Sequence, residues 1–195
     1  MGKVTLSISM SLDGFIAGPS DDVQQLFKWY FAGEKEIPVQ GGRMTLKISQ
    51  ESANLLEESI ETTGAMVAGR RMFDLASAWG GHPPFAPCFI VTHHPPQEWI
   101  KPGSPFTFVT DGIESAIRQA KKAAGDKNVA VATATTTQQA LKAGLLDEIN
   151  IDLVPTLLDS GTPLFRHLGI EPVDLETIRV IKAPGVTHLG FRVIK

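Results

Sequence analysis

Four short apolar runs, three of them followed by a helical stripe, constrain this 195-residue chain more than any other feature. They are Ala65–Ala68 between Gly64 and Gly69, Cys88–Val91, Phe106–Val109 and Val129–Ala132. A run of four apolar residues without alternation reads as a strand buried on both faces. Met72, Phe73, Ala76 and Trp79 supply one stripe before Gly80-Gly81. Asp111-x-x-Glu114 reads as a capping box opening a helix with Ile113, Ala116, Ile117 and Ala120 inward, closed by Gly125. A shorter helix spans 136–143 and stops at Gly144. Strands alternating with helices predict an α/β domain with a mainly parallel sheet.

The ends of the chain differ in kind. Val4, Leu6, Ile8 and Met10 alternate with Thr5, Ser7 and Ser9, a strand with unlike faces. Ser20 caps a helix with Val23, Leu26, Phe27, Tyr30 and Phe31 on one face and Gly33 as its stop. Pro38 and Gly41-Gly42 mark an irregular excursion, with a short strand through Met44 to Ile48. A second helix from about Ser49 to Thr62 buries Ala53, Leu56 and Ile60 and ends at Gly64. Ile149, Ile151 and Leu153 form another strand. Segments 175–182 and 186–194 flank Ala183-Pro184-Gly185, where Pro then Gly suits a type II turn and an antiparallel hairpin. The chain reads as one domain over 1–195.

Charge and composition exclude several functions. With 18 Lys+Arg against 21 Asp+Glu the net charge is −3, so no strong positive field attracts nucleic acid. No apolar run approaches the roughly 18–20 residues that cross a bilayer. The start lacks a signal-peptide core, and Leu6 stands where a myristoylation signal wants Ser or Thr. The single cysteine, Cys88, fits a reducing compartment, so a cytoplasmic protein is expected. Cys88 opens an apolar strand and reads as packing rather than a nucleophile. His82, His93, His94, His167 and His188 are scattered, so no metal site is expected. Gly-x-Ser-x-Gly, P-loop and Gly-x-Gly-x-x-Gly patterns are absent.

In open α/β sheets, ligands lie beyond the carboxyl ends of the parallel strands. The residues just after each run are therefore informative. They are Gly69-Arg70-Arg71, Thr92-His93-His94, Thr133-Ala134-Thr135-Thr136-Thr137 and, after the first strand, Asp13 to Gly18. Gly69 admits a close phosphate, Arg70 or Arg71 clamps it, and the Thr-rich turn offers hydroxyls and helix N–H groups. Taken singly, each has a plainer role as a solvated pair or a helix cap. Together they predict an anion site sized for a dinucleotide. Asp13 is a weak candidate for orienting a substrate, beside the commoner role of a turn-forming Asp before Gly. Trp29 and Phe15 read as packing before they read as a stacking surface.

Ser11–Gly18, Val67–Asp74, Ala78–Gly81, Phe89–His93, Ala143–Ile149 and Val154–Phe165 resemble, in sequence and order, the RibD C-terminal, dihydrofolate-reductase-like family. The resemblance covers nearly the whole chain. It implies a dihydrofolate-reductase-like mixed, mostly parallel sheet flanked by helices with a C-terminal antiparallel hairpin, often in a homodimer. It further implies an NADPH-dependent reductase, as in the riboflavin-pathway reduction of a ribosylaminopyrimidine. Its cofactor contacts carry over to Ala17, Gly69, Arg70, Arg71, Thr92 and His93. Where relatives carry Gly-Gly at the pyrophosphate crossing, this chain has Thr133-Ala134-Thr135, whose Cβ atoms crowd that crossing. Thr133, Ala134, Thr135 and Thr136 remain the expected cofactor-binding positions. Asp159, in a stretch where relatives tend to glycine, repels a phosphate unless it faces away. Lys28-Trp29 stand where a folate reductase carries a carboxylate, which argues against folate. A catalytically lapsed nucleotide- or small-molecule-binding dimer is the alternative. Leu189, Phe191 and Val193 are candidates for the subunit contact.

Overall fold

The computed structural model describes residues 2–39 and 42–195, so Gly41 of the expected excursion lies outside the described residues. The chain begins with β1 (Val4–Ser11), β2 (Phe15–Ala17), β3 (Lys35–Val39) and β4 (Met44–Ile48). Helix α1 (Gln50–Thr62) then leads into β5 (Thr63–Gly69), α2 (Arg70–Leu75), β6 (Cys88–Val91) and β7 (Phe106–Val109). Next come α3 (Ile113–Ala124), β8 (Asn128–Ala132), α4 (Ala134–Lys142) and β9 (Glu148–Val154). The last strands are β10 (Thr162–Pro163), β11 (Leu175–Ala183) and β12 (Val186–Val193). The chain forms two units: the residues up to Leu6 with Ile60–Asp147, and Ser7–Ser59 with Glu148–Lys195.

The first unit is the parallel sheet that the apolar runs predict. The start of β1 pairs with β8, β8 with β5, β5 with β6 and β6 with β7, all parallel. Val67, Ile90 and Val129 are fully buried, as strands covered on both faces must be. Helix α3 turns Ala116, Ile117 and Ala120 inward as expected. Its expected capping box does not form. The N-cap is Gly112 at φ +98°, with no side-chain cap, and the first helical bond runs from the Ala116 amide to the Gly112 carbonyl. That start lies one residue beyond Asp111, so Asp111 and Glu114 fall out of the three-residue spacing that a box needs. Gly125 closes the helix at φ +63°, as its sequence position suggests. Gly64 does not stop α1; it lies inside β5, where an added Cβ would stand 2.8 Å from the Lys127 side chain. The Met72–Trp79 stripe is a six-residue helix, α2, followed by a tight turn over Ser77–Gly81.

The second unit is antiparallel. β9 pairs with β12 and β12 with β11, closed by a turn with Gly185 at φ +75°, as Pro then Gly predicts. β3 and β4 make a separate hairpin. Pro38 lies within β3, where the sequence suggests an irregular excursion; in a two-stranded ribbon a proline can turn its missing donor outward. The core gathers Leu26, Trp29, Ile37, Leu46, Ile48, Ala53, Val154 and Val186.

The helix expected over 20–31 is absent. Short 3-10 turns at Pro19–Asp21 and Lys28–Phe31 replace it, and Ser20 sits at φ +58°. Asp22 accepts the Gln24 amide on its own side chain, offering the backbone an alternative to a helix. Trp29 turns inward to donate Nε1–H to Ser9 Oγ at 3.1 Å, whereas Phe31 is left exposed. Tertiary contacts, not helical periodicity, decide this segment. Gly33 is needed for close approach: its Cβ would lie 2.0 Å from the Ile48 carbonyl carbon. Helix α1 buries Ala53 and half-buries Leu56, but Ile60 is exposed.

Candidate functional site

The register of the first unit brings three of the four expected loop ends together. Ala68 pairs with Ala132 and Gly69 with Val91, so β5, β6 and β8 finish level, and their following residues share one rim. Gly69 is extended and precedes α2; a Cβ there would meet Thr136 Oγ1 at 3.2 Å. This close approach joins the first and last of the three loops. Ala134 and Thr136 are buried, Thr133 is half-buried and Thr135 is exposed. Thr136 Oγ1 donates to the Ala132 carbonyl at 2.9 Å, so that hydroxyl is committed to its own helix start. The Ala132–Thr133 peptide is cis. Thr137 on α4 is fully buried, and its Oγ1 has no hydrogen-bond partner among the described residues.

Arg70 does not stand loose at the rim. Its Nε donates to both Asp74 carboxylate oxygens at 2.8 and 2.9 Å, and its Nη1 donates to the His94 carbonyl. A guanidinium carries five N–H donors, so Nη2 keeps capacity for an anion. The two bonds stiffen the side chain and tie the β5 loop to the β6 loop. Arg71 is exposed. Thr92 is buried, and its Oγ1 accepts the His94 amide at 3.1 Å, leaving the hydroxyl proton to donate. His93 and His94 are exposed. Cys88 is buried on β6, and desolvation pushes its thiol up to about 12, so it stays protonated and unreactive at neutral pH.

Asp13 and Ala17 belong to the second unit. Asp13 is a fastening residue: Ser11 Oγ donates to its Oδ1, and the Leu158 and Asp159 amides donate to its carboxylate at 2.7–3.2 Å. The Ser11 hydroxyl, then the two amides, hold its carboxyl below the usual carboxylate range. Ala17 is buried in β2, which pairs with β10. Gly161, at φ +133°, allows that pairing; a Cβ there would lie 2.0 Å from the Ala17 carbonyl oxygen. Asp159 sits at φ +66°, with its amide spent on Asp13.

The second unit also holds a polar chain that the sequence did not reveal. His188 Nδ1 lies 2.7 Å from Asp152 Oδ1, and its Nε2 lies 2.8 Å from Ser52 Oγ. In the Nδ1–H tautomer, Nδ1 donates to the carboxylate and Nε2 accepts the Ser52 hydroxyl. Trp29 meets the imidazole edge-on at 5.3 Å. Serine, histidine and aspartate share this order in hydrolytic triads. Ser52 is only 3% exposed, however, and sits in the first turn of α1, not on a strained exposed turn. The chain fastens a core. Desolvation, then the charge of Asp152, raises the neighbouring Tyr30 phenol, so it stays neutral. Partners 36 and 136 positions apart leave no local pattern to read.

The model of the RibD C-terminal domain matches residues 2–189. The chain belongs to the RibD C-terminal domain family. No curated protein matches. Among solved structures, a putative riboflavin biosynthesis protein from Shewanella sp. PV-4 is 22% identical, with both chains covered in full and a TM-score of 0.72. The riboflavin biosynthesis reductase Rib7 of Saccharomyces cerevisiae is 13% identical over 99% of this chain and 90% of its own, with a TM-score of 0.60. Dihydrofolate reductase from Enterococcus faecalis, complexed with NADP(H), is 12% identical over 100% of this chain and 98% of its own, with a TM-score of 0.57. At these identities the structures establish the fold: a dihydrofolate-reductase-like α/β domain with a mostly parallel sheet flanked by helices and a C-terminal antiparallel hairpin. No helix among the described residues is long and apolar enough to cross a membrane.

Proposed function

We propose that this RibD C-terminal domain is an NADPH-dependent reductase of a small heterocycle, of the kind that reduces a ribosylaminopyrimidine in riboflavin synthesis. One observation carries the reading: three strand ends finish level, and their loops present a glycine, a braced arginine and a free threonine proton to one rim. The residues fit a dinucleotide there. Gly69 leaves a cradle that a Cβ would narrow, Arg70 Nη2 and the exposed Arg71 supply charge, and Thr92 with His93 suits a further phosphate. The first turn of α4 offers the N–H groups from Thr133 to Thr136, which stand too early in the helix for an intrahelical partner. When bound, NADPH supplies the hydride; the chain's own task is to hold and orient the carrier and acceptor. Asp13 does not carry the chemistry, because its carboxylate is engaged by Ser11 and by the Leu158 and Asp159 amides.

NADPH titration followed by fluorescence tests this. Saturable binding is expected, weakened by about 1–3 kcal/mol in Arg70→Ala or Arg71→Ala. Absence of binding at millimolar NADPH refutes it. The Cβ atoms of Thr133 and Ala134 favour a second reading, a binding protein on the same fold that has lost reduction. Binding without turnover of the ribosylaminopyrimidine selects that reading. We further propose a cytoplasmic homodimer. Val193 is buried and Leu189 and Phe191 are half-buried on β12, so the exposed apolar row lies on β11, at Leu175, Ile178 and Val180. Light scattering measures the dimer directly.

A further inference from the structure

We infer that the first unit carries a second ligand site, an aromatic shelf beside β7 that takes a small planar aromatic anion. A shallow groove of about 460 Å³, open to solvent, lies there, lined by Pro95, Trp99, Ile100, Lys101, Phe106 and Phe108, among others. None of its lining residues belongs to the dinucleotide rim. An apolar lining with few polar groups is the usual make-up of small-molecule sites.

The walls are already formed. The Trp99 ring meets Phe106 edge-on at 5.1 Å and Phe73 at 6.0 Å, and Phe73 meets Phe108 at 5.5 Å. Behind them Trp79 stacks on Phe106 at 24°. The loop that carries Trp99 is held by its own backbone bonds: Trp99 to Pro96, Ile100 to Gln97, Lys101 to Trp99 and Ser104 to Lys101. Ordering this shelf on binding therefore costs little. Ile100 is 54% exposed at the lip, apolar surface that a ligand would cover.

Charge selects the class of ligand. Lys101 Nζ sits 5.3 Å from the Trp99 ring centroid, the one charged group in the lining. An aromatic plane placed against these rings gains edge-to-face or stacked contact, and an anionic substituent beside it meets the ammonium. A flat heterocycle or arene bearing a carboxylate, sulfonate or phosphate matches these features; a cation does not.

The test uses 8-anilino-1-naphthalenesulfonate on the full folded chain, with uncharged N-phenyl-1-naphthylamine as its partner probe. One saturable sulfonate site is expected, with energy transfer from tryptophan. Trp99→Leu should weaken it by about tenfold. Lys101→Gln, an exposed change that leaves the core intact, should weaken the sulfonate about threefold or more and leave the neutral probe unchanged. Arg71→Ala, at the rim and outside the lining, should not alter it, which separates this shelf from the dinucleotide rim. The inference fails if no saturable binding occurs below millimolar probe. It fails equally if Lys101→Gln weakens both probes alike, or if Arg71→Ala removes the site.

Discussion

The two units use polar side chains in opposite ways. In the second unit, Ser52, His188 and Asp152 face one another in a buried chain that closes on protein atoms. In the first, Arg70, Thr92 and His93 stand at strand ends, each with bonding capacity or surface turned outward. A Ser–His–Asp row is therefore not evidence of chemistry by itself. Accessibility of unspent donors separates a fastening from a cradle, and the rim has it where the triad lacks it.

The largest effect that sharpens this contrast is expected from backbone crowding in the second unit. Gly161→Ala places a Cβ 2.0 Å from the Ala17 carbonyl oxygen, at φ +133°. A loss of about 3 kcal/mol or more is expected in urea unfolding. His188→Ala comes next, at about 2–4 kcal/mol, because it leaves the Asp152 carboxylate and the Ser52 hydroxyl without their shared partner. Should His188→Ala unfold at an unchanged denaturant midpoint, the fastening account is wrong. Its NADPH affinity, measured on folded protein, should match that of the unchanged chain.

Smaller effects belong to the surface. Arg71→Ala should weaken NADPH binding at the lower end of the range given for Arg70 while leaving the urea midpoint within about 0.5 kcal/mol. A midpoint shift larger than the binding loss would place Arg71 in the architecture instead. The smallest effect is that of Asp13. Its folded carboxyl titrates below the ordinary value of 3.8, so the contribution is complete above that value and is lost as pH falls through the lower, folded one. Hydrogen exchange at the Leu158 and Asp159 amides should quicken only in that acid window, and Asp13→Asn should quicken it at neutral pH.

Local periodicity made the parallel sheet legible. Ala65–Ala68 and Cys88–Val91 carry their burial in four adjacent residues, and the strands formed where those residues stand. The rim was legible for the same reason, since parallel strands of similar length align the residues that follow them. The segment around Trp29 was not. Its apolar spacing imitates a helix, yet Ser9, twenty positions earlier, decides where the indole goes. β3 was hidden because Pro38 argues against a strand until a free edge is known to exist. Arg70 was visible as a cation, but its brace needed Asp74 and a carbonyl twenty-four positions on.

Cys88 gives the chain a reporter at no cost to its surface. The thiol is the only one in the sequence, and it lies wholly inside the parallel strands of the first unit. An alkylating reagent can reach it only when those strands come apart, so the rate of labelling in native buffer counts how often that half of the molecule opens. Mass tagging at one position thus yields the opening frequency of one unit, unmixed with events in the other.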